Sequence, residues 1–495
     1  MASARGPIPR ARTFVDERLS GLRALAFGLS IIYLVLIPPY LSSIDANSMF
    51  AVSESLVVDL DASVPCEVSG SDVVGSGGEC YSAWYPLISF LAVPLVLLGR
   101  IAGTILGIEE SYVAMEFALV VPALAAAGAA TASAAIALKL GASRRGAVLA
   151  ALAAGFGTEM LTHARYFFAE TTAAFLVALA VWGLTDVGRR RGIALLALGL
   201  VVLAKPPLIV IGPALGAALA VQSRDWRKFI APASASGLGA ATYLLYNWLR
   251  FEDPTEFGGG DRFDVGNYFS FDLFKILGLL LISPGKGLLW FSPVAVLGAI
   301  VLWRHRKSET GLLCIAGALG VLAIYIGHPY GGWDWGGRFL VPAIPLLCAA
   351  LGTLRGRFAA AAVVLVAFAA AMQIPTNVAF YERAYAEARE ESVYLEYERW
   401  TPSGSPLLRM WPAMVNQLQA ARESDVDKIE EAGTPSESVI DRPLFKVVAL
   451  WWWMLPAVGV PWLFGLGLSV AAVFVAAWLI WRSTYSHSRD TRSAV

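Results

Sequence analysis

Charge is scarce in this chain. Asp, Glu, Lys and Arg make up 15% of its 495 residues, against roughly 25% in soluble proteins. With 57% apolar residues and a mean hydropathy of +0.62, that deficit excludes a soluble two-domain enzyme and extended disorder. Net charge is absent too, since 38 basic residues offset 38 acidic ones, and nothing points to nucleic acid. Histidine occurs only at positions 163, 305, 328 and 487, too dispersed for a His-rich zinc centre, so no metal is expected. There is no HExxH, GxSxG, Walker A loop or CxxC, which removes several hydrolase, nucleotide-binding and redox classes.

What the chain has is long apolar runs. They cover about 24–41, 113–138, 146–162, 170–185, 192–204, 206–222, 229–248, 287–303, 310–327, 339–354, 358–374 and 461–481. A helical crossing needs about 20 apolar residues, so the pattern predicts an all-α polytopic membrane protein with about 12 transmembrane helices. The basic N-terminus precedes the first run without a small-residue cleavage site, and the run reads as an uncleaved span. With both termini cytoplasmic, short inside connections collect 22 of the 38 basic residues, among them Arg23, Lys139, Arg144, Arg145, Arg189 to Arg191, Arg304 and Arg482, but only six acids. That asymmetry orients the chain in a plasma membrane. Pro86–Gly99, at 14 residues, reads as an interfacial or re-entrant helix on the outer surface. Pro206-Pro207 breaks the runs around Lys205. The outer face then carries 43–112, 249–286, 328–338 and 375–460, and function is expected there. No second half repeats the first, as many transporters would.

Cys66 and Cys80 enclose 13 residues, and a disulfide is plausible in an oxidising exterior. Cys314 and Cys348 read as packing residues. Asp45, in SSIDANSMF just after the first span, has two readings: cap of the helix that begins there, or carboxylate of a reactive cavity. His163, Arg165 and Glu170, with Glu159 one turn earlier, form either a site or an internal ion pair. Lys205, Lys286 and Arg338 each end an apolar run. Together they suit a phosphate; singly they would be snorkelling anchors. The segment from Tyr330 to Arg338 is dense in Trp and Gly, and Trp333, Asp334 and Trp335 suit a sugar, as Trp also suits an interfacial belt. The acids 253, 256, 261 and 264 could take a divalent cation, although such loops are usually just solvated.

The assembled pattern resembles the GT-C superfamily of integral membrane glycosyltransferases, which use polyprenyl-phosphate sugars on the extracytoplasmic face. The likeness rests on Asp45 after the first span, YSAWYPLISFLAVPLVLLGR, GTEMLTHARYFFAETTAAFL, LAKPP, YNWLRFEDPTEFG, LLLISPGKGLLWFSP, WDWGGRFLVPAIPLL and ERWTPSGSPLL, in that order. It implies a GT-C-like core over 1–374 with jaw helices and loops in 43–112, an extracytoplasmic region over 375–460, and a last span with a cytoplasmic tail over 461–495. Asp45 would be the catalytic base of an inverting displacement. Arg165, Lys205, Lys286 and Arg338 would hold the donor phosphate. Asn47, Tyr85, His163, Glu170, Tyr246, Asn247, Trp333, Asp334 and Trp335 would bind substrate. The implied partners are a polyprenyl-phosphate donor, with arabinose or mannose natural choices for a GC-rich bacterium, a glycan, lipid or protein acceptor, and membrane lipids. No cofactor is implied. Trp84 departs from the family pattern, since relatives commonly carry Lys there, and this puts one phosphate contact in doubt. A transporter or flippase of a lipid-linked sugar, or a non-catalytic assembly partner, stands as the alternative.

Overall fold

The structure, a computed structural model, describes residues 11–68, 73–186, 188–258, 273–325, 334–382, 400–423 and 448–485. Each of the twelve apolar runs is helical, and the expected all-α polytopic membrane fold is the one found. Four helices are long and apolar enough to cross a membrane: Pro86–Leu106, Glu110–Lys139, Pro206–Ser223 and Trp462–Ser483. Shorter apolar helices surround them. The strand content among the described residues is one antiparallel pair, β1 (Val73–Val74) and β2 (Cys80–Tyr81), with Val73 opposite Tyr81.

The first helices are α1 (Ala11–Val35), α2 (Ile44–Val58), α3 (Pro86–Leu106), α4 (Glu110–Ala118) and α5 (Val120–Lys139). They are followed by α6 (Arg144–Phe156), α7 (Met160–His163), α8 (Ala169–Leu184), α9 (Arg189–Ala204), α10 (Ile211–Ser223) and α11 (Arg227–Phe251). The central layer is α5 against α6 and α8, with α1 alongside α5. Alanine makes this layer thin: Ala123, Ala126, Ala130, Ala134 and Ala137 of α5 are fully buried. Small residues let helices approach closely where lipid offers no hydrophobic contrast. A Cβ at Gly146 would lie 2.0 Å from the Gly352 carbonyl oxygen, so a larger residue would push these helices apart.

One end of the bundle is basic. Lys139 and Arg190 both pair with Asp186, at 3.0 and 3.1 Å. Arg144 donates to the Tyr485 carbonyl at 3.0 Å, bringing the C-terminal end of α12 (Trp462–Ser483) to the same place. The helices α5 and α8 both finish here, so their first residues lie at the opposite end, which carries the candidate site.

The Pro86–Gly99 expectation is corrected in length. Helix α3 continues through Arg100 to Leu106, 21 residues in all, and turns at Gly107, where φ is +68°. Arg100 does not stop it because the guanidinium is neutralised by Glu54 and Glu110, each at 2.8 Å. The chain then folds back as α4, pressed so tightly that a Cβ on Gly99 would sit 2.5 Å from the Ala114 Cα.

Candidate functional site

Helix α2 begins where the sequence placed Asp45, but Asp45 is not its cap. Ser43 holds the extended N-cap conformation, and its hydroxyl accepts from the Ala46 amide at 3.2 Å. The Asp45 carboxylate is therefore released from local duty. It projects from the first turn and accepts from Arg338 Nη2 at 3.0 Å. Burial raises this carboxyl above its ordinary range, and the Arg338 charge pulls it back.

Arg338 is the hub. Its Nη1 donates to Asp334 Oδ1 at 2.9 Å and its Nε to Glu170 Oε1 at 2.8 Å, so one guanidinium serves three carboxylates. The Phe168 ring lies 3.8 Å from its central carbon, closing one face to water. Lys205 donates to the same Glu170 oxygen at 2.5 Å, and its ammonium lies 4.1 Å from the centre of the Phe339 ring. The break at Pro206-Pro207 creates this arrangement: α9 ends at Ala204, Lys205 turns to φ −158°, and its side chain reaches across to the start of α8. Glu170 is buried, and removing one partner of such a network exposes the rest to an uncompensated charge.

A polar scaffold supports the loop that carries Asp334, Trp335 and Arg338. Lys286 Nζ donates to the Asp334 carbonyl at 2.5 Å, and His163 Nε2 donates to the Trp335 carbonyl at 2.9 Å. Burial pushes His163 down to about 4, so its ring is neutral at physiological pH. Trp335, wholly buried, donates from its indole to Gln373 Oε1 at 2.7 Å, and Gln373 Nε2 donates to the Phe291 carbonyl at 3.0 Å. Gly336 adopts φ +63°, and a Cβ there would meet Glu159 Oε2 at 2.0 Å. The turn that aims Arg338 thus requires glycine for both conformation and space.

Arg165 lies elsewhere. Nε donates to the Leu36 carbonyl at 2.7 Å, and the two terminal nitrogens donate to the carbonyls of Thr376 and Ala449. Three chain segments are tied by one buried guanidinium, whose described hydrogen bonds all go to backbone oxygens. Beside this knot Glu382 accepts from Ser42 Oγ at 2.9 Å and from Tyr166 OH at 3.0 Å.

A second cluster sits at the end of α11. Arg250 donates to Asn247 Oδ1 at 2.8 Å and to the Ser82 carbonyl at 2.7 Å, while the Tyr246 ring lies 4.1 Å from its guanidinium carbon. Tyr85 meets Tyr243 edge-on at 6.3 Å. The Cys66–Cys80 disulfide is formed and staples the loop that delivers Ser82. Ser82 Oγ is in turn 2.7 Å from Ser48 Oγ, one turn beyond Asp45 on α2. Asn47 shares that first turn.

The structure therefore brings Asp45, Glu170, Lys205, Asp334 and Arg338 into one bonded network, with Lys286, His163 and Trp335 supporting it. It places Arg165 in a separate backbone clamp, and Tyr85, Tyr246 and Asn247 in the Arg250 cluster. Trp333 lies outside the described residues, as do acids 261 and 264. No group of His, Cys, Asp and Glu among the described residues has the arrangement to hold a metal ion. Sequence reasoning missed Phe168, Gln373, Arg250 and Glu382. Gln373 had a signal, as an isolated polar residue closing an apolar run, and Arg250 stood inside a quoted motif; Glu382 lay in a charged loop with nothing to single it out.

No family model matches the chain, and no curated protein matches it. Among solved structures it is similar to ArnT from Cupriavidus metallidurans bound to undecaprenyl phosphate, at 14% identity and a TM-score of 0.48, over 96% of this chain and 78% of that one. The apo state of the same protein matches at 14% identity and a TM-score of 0.48, over 94% and 77%. The apo oligosaccharyltransferase of Archaeoglobus fulgidus matches at 14% identity and a TM-score of 0.41, over 88% of this chain and 56% of that one.

Proposed function

We propose that this chain is a GT-C-type membrane glycosyltransferase that transfers a sugar from a polyprenyl-phosphate donor to a cell-envelope acceptor on the extracytoplasmic face. The observation that carries the reading is the Asp45 carboxylate, freed from capping by Ser43 and held by Arg338 beside Lys205. A carboxylate with that placement can take the proton of an acceptor hydroxyl as its oxygen attacks the anomeric carbon. The anomeric bond to the lipid phosphate breaks as the new glycosidic bond forms, and the phosphate leaves with the bonding electrons. Inversion follows from this single displacement.

In this reading Arg338, Lys205 and Lys286 are the cations that meet the charge developing on the departing phosphate. Lys286 supplies the contact that Lys would have made in place of Trp84. The four-cation expectation is reduced to three, because Arg165 spends its donors on backbone carbonyls. The wet, charged end of the bundle faces outward and the Lys139 end faces the cytoplasm, as the positive-inside rule requires.

The test is release of polyprenyl phosphate by membranes containing the protein, across a panel of arabinose, mannose and amino-sugar lipid phosphates. Release coupled to acceptor glycosylation with inverted configuration is expected from at least one donor. Movement of an intact lipid-linked sugar across the bilayer without release would identify a flippase instead.

A further inference from the structure

Beside the Asp45 network lies a carboxyl group, Glu382, that is held by hydroxyls where its neighbours are held by a cation. Arg338 engages Asp45, Glu170 and Asp334. Glu382 instead takes Ser42 Oγ on Oε1 at 2.9 Å and Tyr166 OH on Oε2 at 3.0 Å. Ser42 precedes Asp45 by three residues, which limits the Cα separation to about 11 Å. The Asp334 carboxylate is close enough for its charge to be felt at Glu382.

The same wall is aromatic. Tyr166 packs against Tyr381 at 4.9 Å and Phe168 at 5.3 Å, and Tyr381 lies 6.4 Å from Trp335. A carboxyl group, two hydroxyls and neighbouring ring faces are what a sugar ring uses, with hydroxyls bonded and C–H faces stacked. The neighbouring carboxylates disfavour an anionic ligand.

We propose that Glu382, with the Ser42 and Tyr166 hydroxyls and the Tyr381 ring, forms the subsite that grips an uncharged, hydroxyl-bearing sugar unit of the acceptor, an inference that rests on the glycosyl-transfer reading above. Glu382 in its ionised form accepts a hydrogen bond from one acceptor hydroxyl and so presents another to Asp45. The titratable or charged groups facing it are Tyr166, Tyr381, Arg165 and Asp334. Burial pushes the Glu382 carboxyl up to about 7, with the Ser42 and Tyr166 hydrogen bonds acting against that rise. Acceptor capture therefore strengthens as pH rises through neutrality, where the carboxyl loses its proton.

The experiment uses the purified full chain and two readouts. In infrared difference spectra between pH 6 and pH 8, the wild type shows a protonated-carboxyl band that disappears at pH 8 and is missing in Glu382→Gln. In transfer assays with the active donor and methyl α-mannoside or methyl α-arabinofuranoside as acceptor, Glu382→Gln raises acceptor KM by about tenfold, leaves kcat nearly unchanged and flattens the rise with pH. Tyr166→Phe, which preserves the ring, raises KM less. Unchanged KM and pH profile in Glu382→Gln would overturn the subsite, as would donor hydrolysis without transfer to either glycoside. If the wild type releases no polyprenyl phosphate from any donor, the glycosyl-transfer reading fails and takes the acceptor role with it, while the infrared band still reports whether Glu382 exchanges its proton.

Discussion

Two arginines at the same end of the bundle, both nearly buried, live in opposite surroundings. Arg338 is bonded to three carboxylates, and Arg165 to three backbone carbonyls. A guanidinium on carbonyls fixes chain segments, because those oxygens cannot titrate or depart. A guanidinium on carboxylates holds groups that exchange protons and charge with a ligand. In sequence both are an Arg at an apolar boundary; the partner's chemistry separates a clamp from a reactive centre.

The difference can be broken from either side. The largest effect is expected at the clamp: Arg165→Ala leaves three segments untied and buried carbonyls unmet, destabilising the fold by about 3 to 5 kcal/mol. Thermal unfolding in detergent checks this, and the protein that stays folded should keep its kcat. Arg338→Lys reverses the pattern. An ammonium cannot bridge three carboxylates in the fork geometry, so turnover should fall about 100-fold or more with a smaller loss of stability.

Next comes the disulfide. Cys66→Ser with Cys80→Ser should lower stability by about 3 kcal/mol in the chain-entropy model, measured as a lower-temperature unfolding transition in the outer loop. Loss of activity beyond that would mean the Ser82–Ser48 contact positions α2 as well as covering it. The smallest effect is a shift in pH dependence. Because Asp45 must be ionised to act, rate should rise with pH through its raised pKa; Arg338→Gln, by removing the charge that pulls this pKa down, should move the limb to higher pH. Arg165→Lys should leave that limb where it is.

Much of the architecture is legible in the sequence because apolar runs of membrane length leave helices as the solution, with backbone polar groups satisfied within each segment. The exception is α3 at Arg100, since a charge ends an apolar run in sequence but not a helix whose neighbours supply Glu54 and Glu110. In the site, Lys205, Lys286 and Arg338 can be singled out by their recurrence at one depth. Arg165 meets the same criterion, and only the fold shows that its donors point at carbonyls. Glu382 is invisible for a related reason: its surroundings come from Ser42 and Tyr166, each more than 200 residues away in the chain.

The central claim is that Asp45 takes the acceptor proton. The direct measurement is polyprenyl-phosphate release by wild type and Asp45→Asn at matched donor occupancy, with donor affinity determined separately for each. Release reduced by about 100-fold to 10,000-fold with donor binding retained is the result expected of a lost general base. Equal release by the two proteins would contradict the account and place the base on another residue.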